Sequence, residues 1–273
     1  MKAAAKNADI HFTTRGRGPL TCLVLTSIGT KPYERQIPAA LDAHLQLAFV
    51  DLRGSGQSTG AASDLDFELL ADDLEAVRSA LGVPRVVVLG HSILSLAALE
   101  YARRRPGSVS HVIAVGAPPR GDMRWLMAEG QAFFEADASD ERKALLRGNL
   151  AALPPGSPPA AAVMAQTPMR FSDPSFDAAP LFAGAETRPE FLAHMIGKLA
   201  LTWDVAAVAD SLTMPILLAH GRYDYVVPHR LWAGIVAKLP RATFHLFEAS
   251  GHQPFVEEPD RFVAVVTDWL GAD

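Results

Sequence analysis

Apolar residues in this chain fall into short unbroken runs that alternate with longer amphipathic stretches. Val86-Val87-Val88-Leu89 has no polar break, which suits a strand buried on both faces of a parallel sheet. Similar runs at Thr21–Leu25, Leu45–Asp51, His111–Val115, Pro215–His220 and Thr243–Glu248 predict further strands, and the alternating Asp9–Thr14 reads as a first, edge strand. Between them, Phe67, Leu70, Leu74, Val77 and Leu81 recur at three- and four-residue steps and predict a helix over Asp64–Leu81. Ile93–Tyr101 and Asp260–Leu270 predict two more helices. Strand and helix in alternation imply an α/β fold with a mostly parallel central sheet and helices on both faces. The rhythm stops from about Met123 to Val208, where helical patterns follow one another at Trp125–Glu135, Asp140–Leu150 and Glu190–Leu201, broken by the Pro-rich Leu153–Pro159. The expected organisation is a core of residues 1–120 and 209–273 with a helical subdomain, residues 121–208, inserted in it.

Composition narrows the picture. A chain of 273 residues fits one large α/β domain with an insertion, and a hydrophobic fraction of 49% supports a sizeable core. The net charge of −5 gives no expectation of nucleic-acid binding, since the basic run Arg103–Arg105 sits where a helix should end. Cys22 is the single cysteine, so no intrachain disulfide can form, and it reads as a small core residue. The first twenty residues lack a signal-like apolar segment, and no window reaches the ~18 apolar residues of a membrane span. A cytoplasmic protein without a membrane partner is therefore expected. The histidines show no metal-site spacing such as H-E-x-x-H, so no metal or cofactor is expected. Oligomeric state is left open.

The candidate chemistry lies at the ends of the strands. Gly90-His91-Ser92-Ile93-Leu94 joins a buried strand to a helix by a tight turn. Such a turn lifts Ser92 out of the sheet at a helix N-terminus, where backbone N–H groups favour developing negative charge. The plainer alternative is a serine N-cap. After the Pro215–His220 strand comes Gly221-Arg222-Tyr223-Asp224, then Val226-Val227-Pro228; after the last strand comes Ser250-Gly251-His252, with Glu257-Glu258-Pro259 beyond. Asp51-Leu52-Arg53-Gly54-Ser55-Gly56-Gln57-Ser58 forms a glycine-rich loop whose Asp51 and Arg53 are expected to hydrogen-bond within it.

Together these motifs resemble the α/β-hydrolase superfamily over nearly the whole chain outside the insertion. The resemblance implies an α/β-hydrolase fold with a helical cap. It implies a triad of Ser92 as nucleophile, Asp224 as acid and His252 as base, in the chain order Ser, Asp, His. It places the oxyanion hole at the backbone N–H of Ile93 and at a donor in the loop Thr26–Thr30, Ile28 first and Ser27 second. Two departures stand out. The last glycine of the G-x-S-x-G elbow is Leu94, and Thr26-Ser27 replaces the usual His-Gly. Some relatives carry the acid after the His111–Val115 strand, but Gly116–Pro119 contains no Asp or Glu. His220 reads as structural.

The expected activity is a serine hydrolase acting on a carboxylic ester, lactone or thioester of a small, largely apolar substrate, through an acyl-enzyme. Leu94, Ser27, Trp125 and Met195 are the candidate pocket residues, and the Met- and aromatic-rich cap suits an apolar ligand. Haloalkane dehalogenases and epoxide hydrolases of this fold carry Asp where Ser92 stands. A proline-iminopeptidase-like peptidase stays open although its H-G-G-P-G loop and G-G-S-W-G elbow are absent, as does a carbon–carbon bond hydrolase. The reading from another class is a ligand-binding protein on a hydrolase scaffold.

Overall fold

The structure is a computed structural model that describes residues 1–157 and 159–272. Pro158, within the Pro-rich interruption, lies outside the described residues. Eight strands form one sheet: β1 (Lys2–Ala5), β2 (Ala8–Arg15), β3 (Leu20–Thr26), β4 (Leu45–Asp51), β5 (Val86–His91), β6 (Val109–Val115), β7 (Ile216–Gly221) and β8 (Ala242–Phe247). Their order is β1-β2-β4-β3-β5-β6-β7-β8, antiparallel at β1/β2 and β2/β4 and parallel elsewhere. The strand expected at the edge, Asp9–Thr14, is instead second from it. β1 covers it through a two-residue hairpin at Lys6-Asn7, with Asn7 at φ 56°. Lys2-Ala3-Ala4-Ala5 has no β-branched or aromatic residue to announce a strand; the pairing partner makes it one.

The helices are α1 (Thr30–Gln36), α2 (Phe67–Ala80), α3 (Leu94–Arg104), α4 (Met123–Asp137), α5 (Asp140–Ala151), α6 (Pro159–Ala165), α7 (Thr167–Arg170), α8 (Pro189–His194), α9 (Val205–Val208), α10 (Pro254–Glu257) and α11 (Pro259–Leu270). The predicted Asp64–Leu81 helix starts later, because Asp66 caps it by accepting the Leu69 N–H at 2.7 Å. Alternate residues of the inner strands divide between two cores. Leu23, Leu25, Val86, Val88, Val112 and Leu218 face α2 and α3; Cys22, Val24, Val87, Leu89, Ile113 and Leu217 face the other helical layer, which includes α11. This is the burial on both faces that unbroken apolar strands require.

The glycine-rich loop after β4 is tied from several directions. Asp51 accepts the Gln57 N–H within the loop at 3.0 Å, and also meets His11 Nδ1 at 2.9 Å and the Thr26 hydroxyl at 2.5 Å. Arg53, expected to bond within the loop, reaches Asp73 of α2 instead, with contacts of 2.8 and 2.5 Å. A guanidinium buried to 2% exposure needs a carboxylate, and the loop offers none to spare.

Between β6 and β7 the described residues hold helices and turns and no strand of the sheet. The base of this insertion is a neck in which Gly121 N–H donates to Trp203 O (2.9 Å), Val205 N–H to Pro119 O (3.0 Å), and Arg120 pairs with Asp204 (3.0 Å). The predicted Glu190–Leu201 helix is broken: α8 ends at His194 and a wider π turn spans Met195–Leu199. The far edge of the insertion is fastened to the core. Arg35 donates to the carbonyls of Pro180, Leu181 and Ala183, Glu186 N–H to Ile28 O (2.7 Å), and Arg188 to Gly56 O (2.7 Å). Among the described residues no helix is long and apolar enough to cross a membrane.

Candidate active site

Three strand ends converge on one spot. β5 closes at His91, and Ser92 takes a φ of 56°, a left-handed conformation that a non-glycine residue adopts only where the surroundings impose it. The surroundings here are close. Ser92 N–H donates to Val115 O at 2.8 Å, and Ser92 O accepts from Ser95 N at 3.0 Å. A Cβ on Gly90 would come within 2.6 Å of Leu94 O and Ser95 Cα. Gly90 therefore supplies the close strand–helix approach. Leu94 is accommodated because its side chain, 2% exposed, joins the apolar cluster that holds Phe191 and Met195 of the insertion.

β7 delivers Asp224, which is fully buried. Its Oδ1 accepts the N–H groups of Val226 (3.0 Å) and Val227 (2.8 Å), and its Oδ2 faces His252 Nδ1 at 2.7 Å. With the carboxylate accepting at Oδ2, Nδ1 is the donor, and Nε2 of the neutral ring keeps its lone pair. The imidazole lies against Gly116 at the end of β6. A Cβ there would sit 2.9 Å from Nδ1, and the residue's φ of 53° favours glycine as well.

His91 and Tyr33 complete the support of the histidine, and the sequence reading assigned them no part. The His91 ring lies 4.7 Å from that of His252. Burial, with His252 adding to it, holds the His91 pKa well below the usual imidazole range, so the ring is neutral. Its Nε2 lies 3.0 Å from His252 O, a group that only accepts, so Nε2 carries the proton and Nδ1 takes the Tyr33 O–H at 3.0 Å. Burial also raises the Tyr33 pKa, which keeps it a phenol.

The insertion braces the same loops. Met169 O accepts Tyr225 N–H at 3.0 Å, beside Asp224, and Arg170 O accepts His252 N–H at 2.6 Å. Glu257 bridges the two parts, accepting Gly251 N–H on one oxygen and Ser172 N–H on the other, each at 2.7 Å. Burial pushes its carboxyl up to about 7 against the pull of these donors. The sequence marked Glu257 only as part of the acidic start of the last helix; its bridging role depends on Ser172, which is remote in the chain.

The other expected site residues are placed as follows. Ile93 stands at the N-terminus of α3 and Ile28 in the loop after β3, and among the described residues neither N–H donates to a protein acceptor. Ser27 is buried beside Ile28. The Ser92 hydroxyl makes no hydrogen bond to a described residue. Met195 is fully buried in the cluster with Leu94. Trp125 lies near the neck, its ring 5.2 Å from the Arg120 guanidinium. His220 is a core residue: it stacks on Phe244 at 5.4 Å, neither ring nitrogen has a partner among the described residues, and burial takes its pKa down to about 3. A groove of about 610 Å³ between Gly54–Ser63 and Thr187–His194 is lined by no triad candidate.

Known proteins agree with this architecture. The family described as alpha/beta hydrolase fold matches residues 25–259. A pimeloyl-[acyl-carrier protein] methyl ester esterase from Nitrosomonas europaea is 30% identical over 267 residues, covering 94% of this chain and 98% of its own. The AB hydrolase superfamily protein YclE of Bacillus subtilis is 28% identical over 272 residues, covering 96% and 95%. Among solved structures, an alpha/beta fold family hydrolase from Bacillus anthracis superposes with a TM-score of 0.76 at 22% identity, covering 98% of each chain, a likeness of fold.

Proposed function

The chain belongs to the α/β-hydrolase fold family, and we propose that within it this protein is a serine hydrolase that cleaves a carboxylic ester of a small, largely apolar substrate. The observation that carries the reading is the Asp224–His252 contact of 2.7 Å at Nδ1, which turns Nε2 of that ring into the free acceptor, with the imidazole 4.7 Å from the ring of His91, the residue before Ser92. In this mechanism Ser92 Oγ attacks the ester carbonyl while His252 Nε2 takes its proton. Asp224 steadies the imidazolium that forms. The N–H groups of Ile93 and Ile28 receive the oxyanion. His252 then protonates the departing alcohol, and an acyl-enzyme is left on Ser92. A water molecule, deprotonated by the same imidazole, attacks the acyl carbon. The acid leaves and Ser92 regains its proton. Residues 121–208 act as the cap over this site, with Leu94, Ser27, Trp125 and Met195 shaping the acyl pocket.

Relatives named as methyl ester esterases at 24–30% identity support an ester with a small alcohol as leaving group. The test is labelling by a fluorophosphonate, native against Ser92→Ala, followed by methyl and p-nitrophenyl esters of increasing acyl length. Labelling that depends on Ser92, with an optimum acyl length, is the expected outcome. A folded protein that neither labels nor turns over any ester overturns the reading in favour of a binding protein.

A further inference from the structure

Deeply set arginines of this fold are paired. Arg53 has Asp73. Arg142 donates to the carbonyls of Pro168, Phe171 and Ser172 and lies over the rings of Tyr223 and Tyr225. Arg170, at the C-terminal end of α7, departs from this pattern. Its side chain makes no hydrogen bond or ion pair with any described residue, and its Nε is buried without a partner. The residue sits at the triad. Its carbonyl holds the His252 N–H at 2.6 Å, and a side chain on Gly251 would overlap that carbonyl. Its charge interacts with Asp224, which favours it, and disfavours a charged His91.

The nearby carboxylates are already committed. Both Asp224 oxygens are taken, by Val226 and Val227 and by His252, and both Glu257 oxygens by Ser172 and Gly251. Arg170 is half-buried, and its Nε alone is both shut off from water and unpaired; an unpaired buried donor is costly, and an anion bound there would satisfy it. Its planar fork of donors matches a carboxylate in two parallel hydrogen bonds. With His91 neutral, Arg170 brings a single positive charge to this end of the site, which suits a monoanionic carboxylate better than a phosphate dianion.

We propose that Arg170 is an anion subsite of the active site and that the substrate is an ester carrying a second, free carboxylate, such as a half ester of a short dicarboxylic acid with an otherwise apolar chain. This rests on the triad reading of Ser92, Asp224 and His252 and specifies the substrate class.

The experiment compares kcat/KM for monomethyl succinate, glutarate and adipate with that for methyl butyrate, valerate and hexanoate, pairs of equal acyl length. The native protein should prefer at least one half ester at least tenfold over its neutral partner. Arg170→Gln should lower that ratio at least tenfold, chiefly through KM, and Arg170→Lys should retain part of it. A native ratio at or below one, or a ratio unchanged in Arg170→Gln, overturns the proposal. Should Arg170→Gln not fold, inhibition of methyl valerate hydrolysis by glutarate but not glutaramide supports the subsite, and equal inhibition or none overturns it. Failure of the triad reading looks different: no fluorophosphonate labelling and no turnover of either series. Calorimetric binding of monomethyl glutarate then decides. Binding weakened in Arg170→Gln supports the subsite, while equal or absent binding overturns it.

Discussion

Gly116 and Asp224 touch the same imidazole from two sides, and each supports a sharp expectation. Gly116→Ala would put a methyl group 2.9 Å from His252 Nδ1 on a backbone with φ 53°. The ring must shift, so kcat should fall at least about tenfold while a circular dichroism spectrum stays native. Asp224→Asn removes the acceptor that fixes the tautomer; by analogy with serine proteases, kcat should fall by about 10³–10⁴ in ester assays. Glu257 gives the pH dependence. Its carboxyl is raised from 4.5 to about 7, with burial the largest cause. Folding therefore favours its protonated form. That stabilisation is fully present below pH 4.5 and is lost as the pH rises through about 7. Thermal melts of the native chain should show up to about 3 kcal/mol more decline across this window than melts of Glu257→Gln. Parallel curves would remove Glu257 as the source. Ser92 and His252 could be singled out at this scale because each stands in a short motif. His91, Tyr33, Arg170 and Glu257 were not, because their roles are defined by partners remote in sequence or by the lack of one.

Arg53 and Asp73 join the loop after β4 to α2 by a bidentate pair out of reach of water. Burial outweighs Arg53 and holds the Asp73 carboxyl above its ordinary value, so the pair is poorly balanced against desolvation. Arg53→Met should cost about 3–5 kcal/mol in urea denaturation, and Arg53→Met with Asp73→Leu should recover much of that. A double variant no better than the single would mean that the loop's path, rather than the stranded charge, is what fails. Most elements were legible from their apolar spacing. Short helices such as α1, α7, α9 and α10 span too few residues to show a period, and two other departures have physical reasons. β1 is all alanine and lysine and owes its form to β2. α8 ends early because the segment beyond it widens into a π turn at Met195–Leu199, with Met195 buried.

Besides the loops it braces around Asp224 and His252, the helical insertion is joined to the core at two ends of unlike character. At the neck, backbone pairing and Arg120–Asp204 continue the chain. At the far edge, the fastening includes exposed or half-buried hydrogen bonds from Arg35, Glu186 and Arg188, besides those of Gln36 and His194. Such bonds contribute about 0.5–1.5 kcal/mol each, less when exposed. Arg35→Ala with Arg188→Ala should thus speed hydrogen exchange at residues 180–188 by about tenfold or more, with the midpoint of global unfolding shifted little. Unchanged exchange would show that the remaining contacts, such as the apolar ones of Phe191 and Met195 with the core, hold that edge alone. Opening there would uncover the Ile28 side of the site first, since Glu186 bonds directly to Ile28.

The sequence by itself determined the class of fold, the order of its strands along the chain, the helical insertion and the three motifs from which the triad is proposed. Those features are encoded locally, in which faces must be buried and which turns a glycine or a proline permits. The tertiary structure decided the rest. Only folding sets Asp224 against His252 across 28 positions and Tyr33 against His91 across 58. It turned Arg53 away from its own loop to α2, and it left Nε of Arg170, the residue whose carbonyl holds His252, without a partner among the described residues. A side chain's partner is fixed by which groups share a buried space once the chain has closed on itself. Periodicity along the chain carries no record of that.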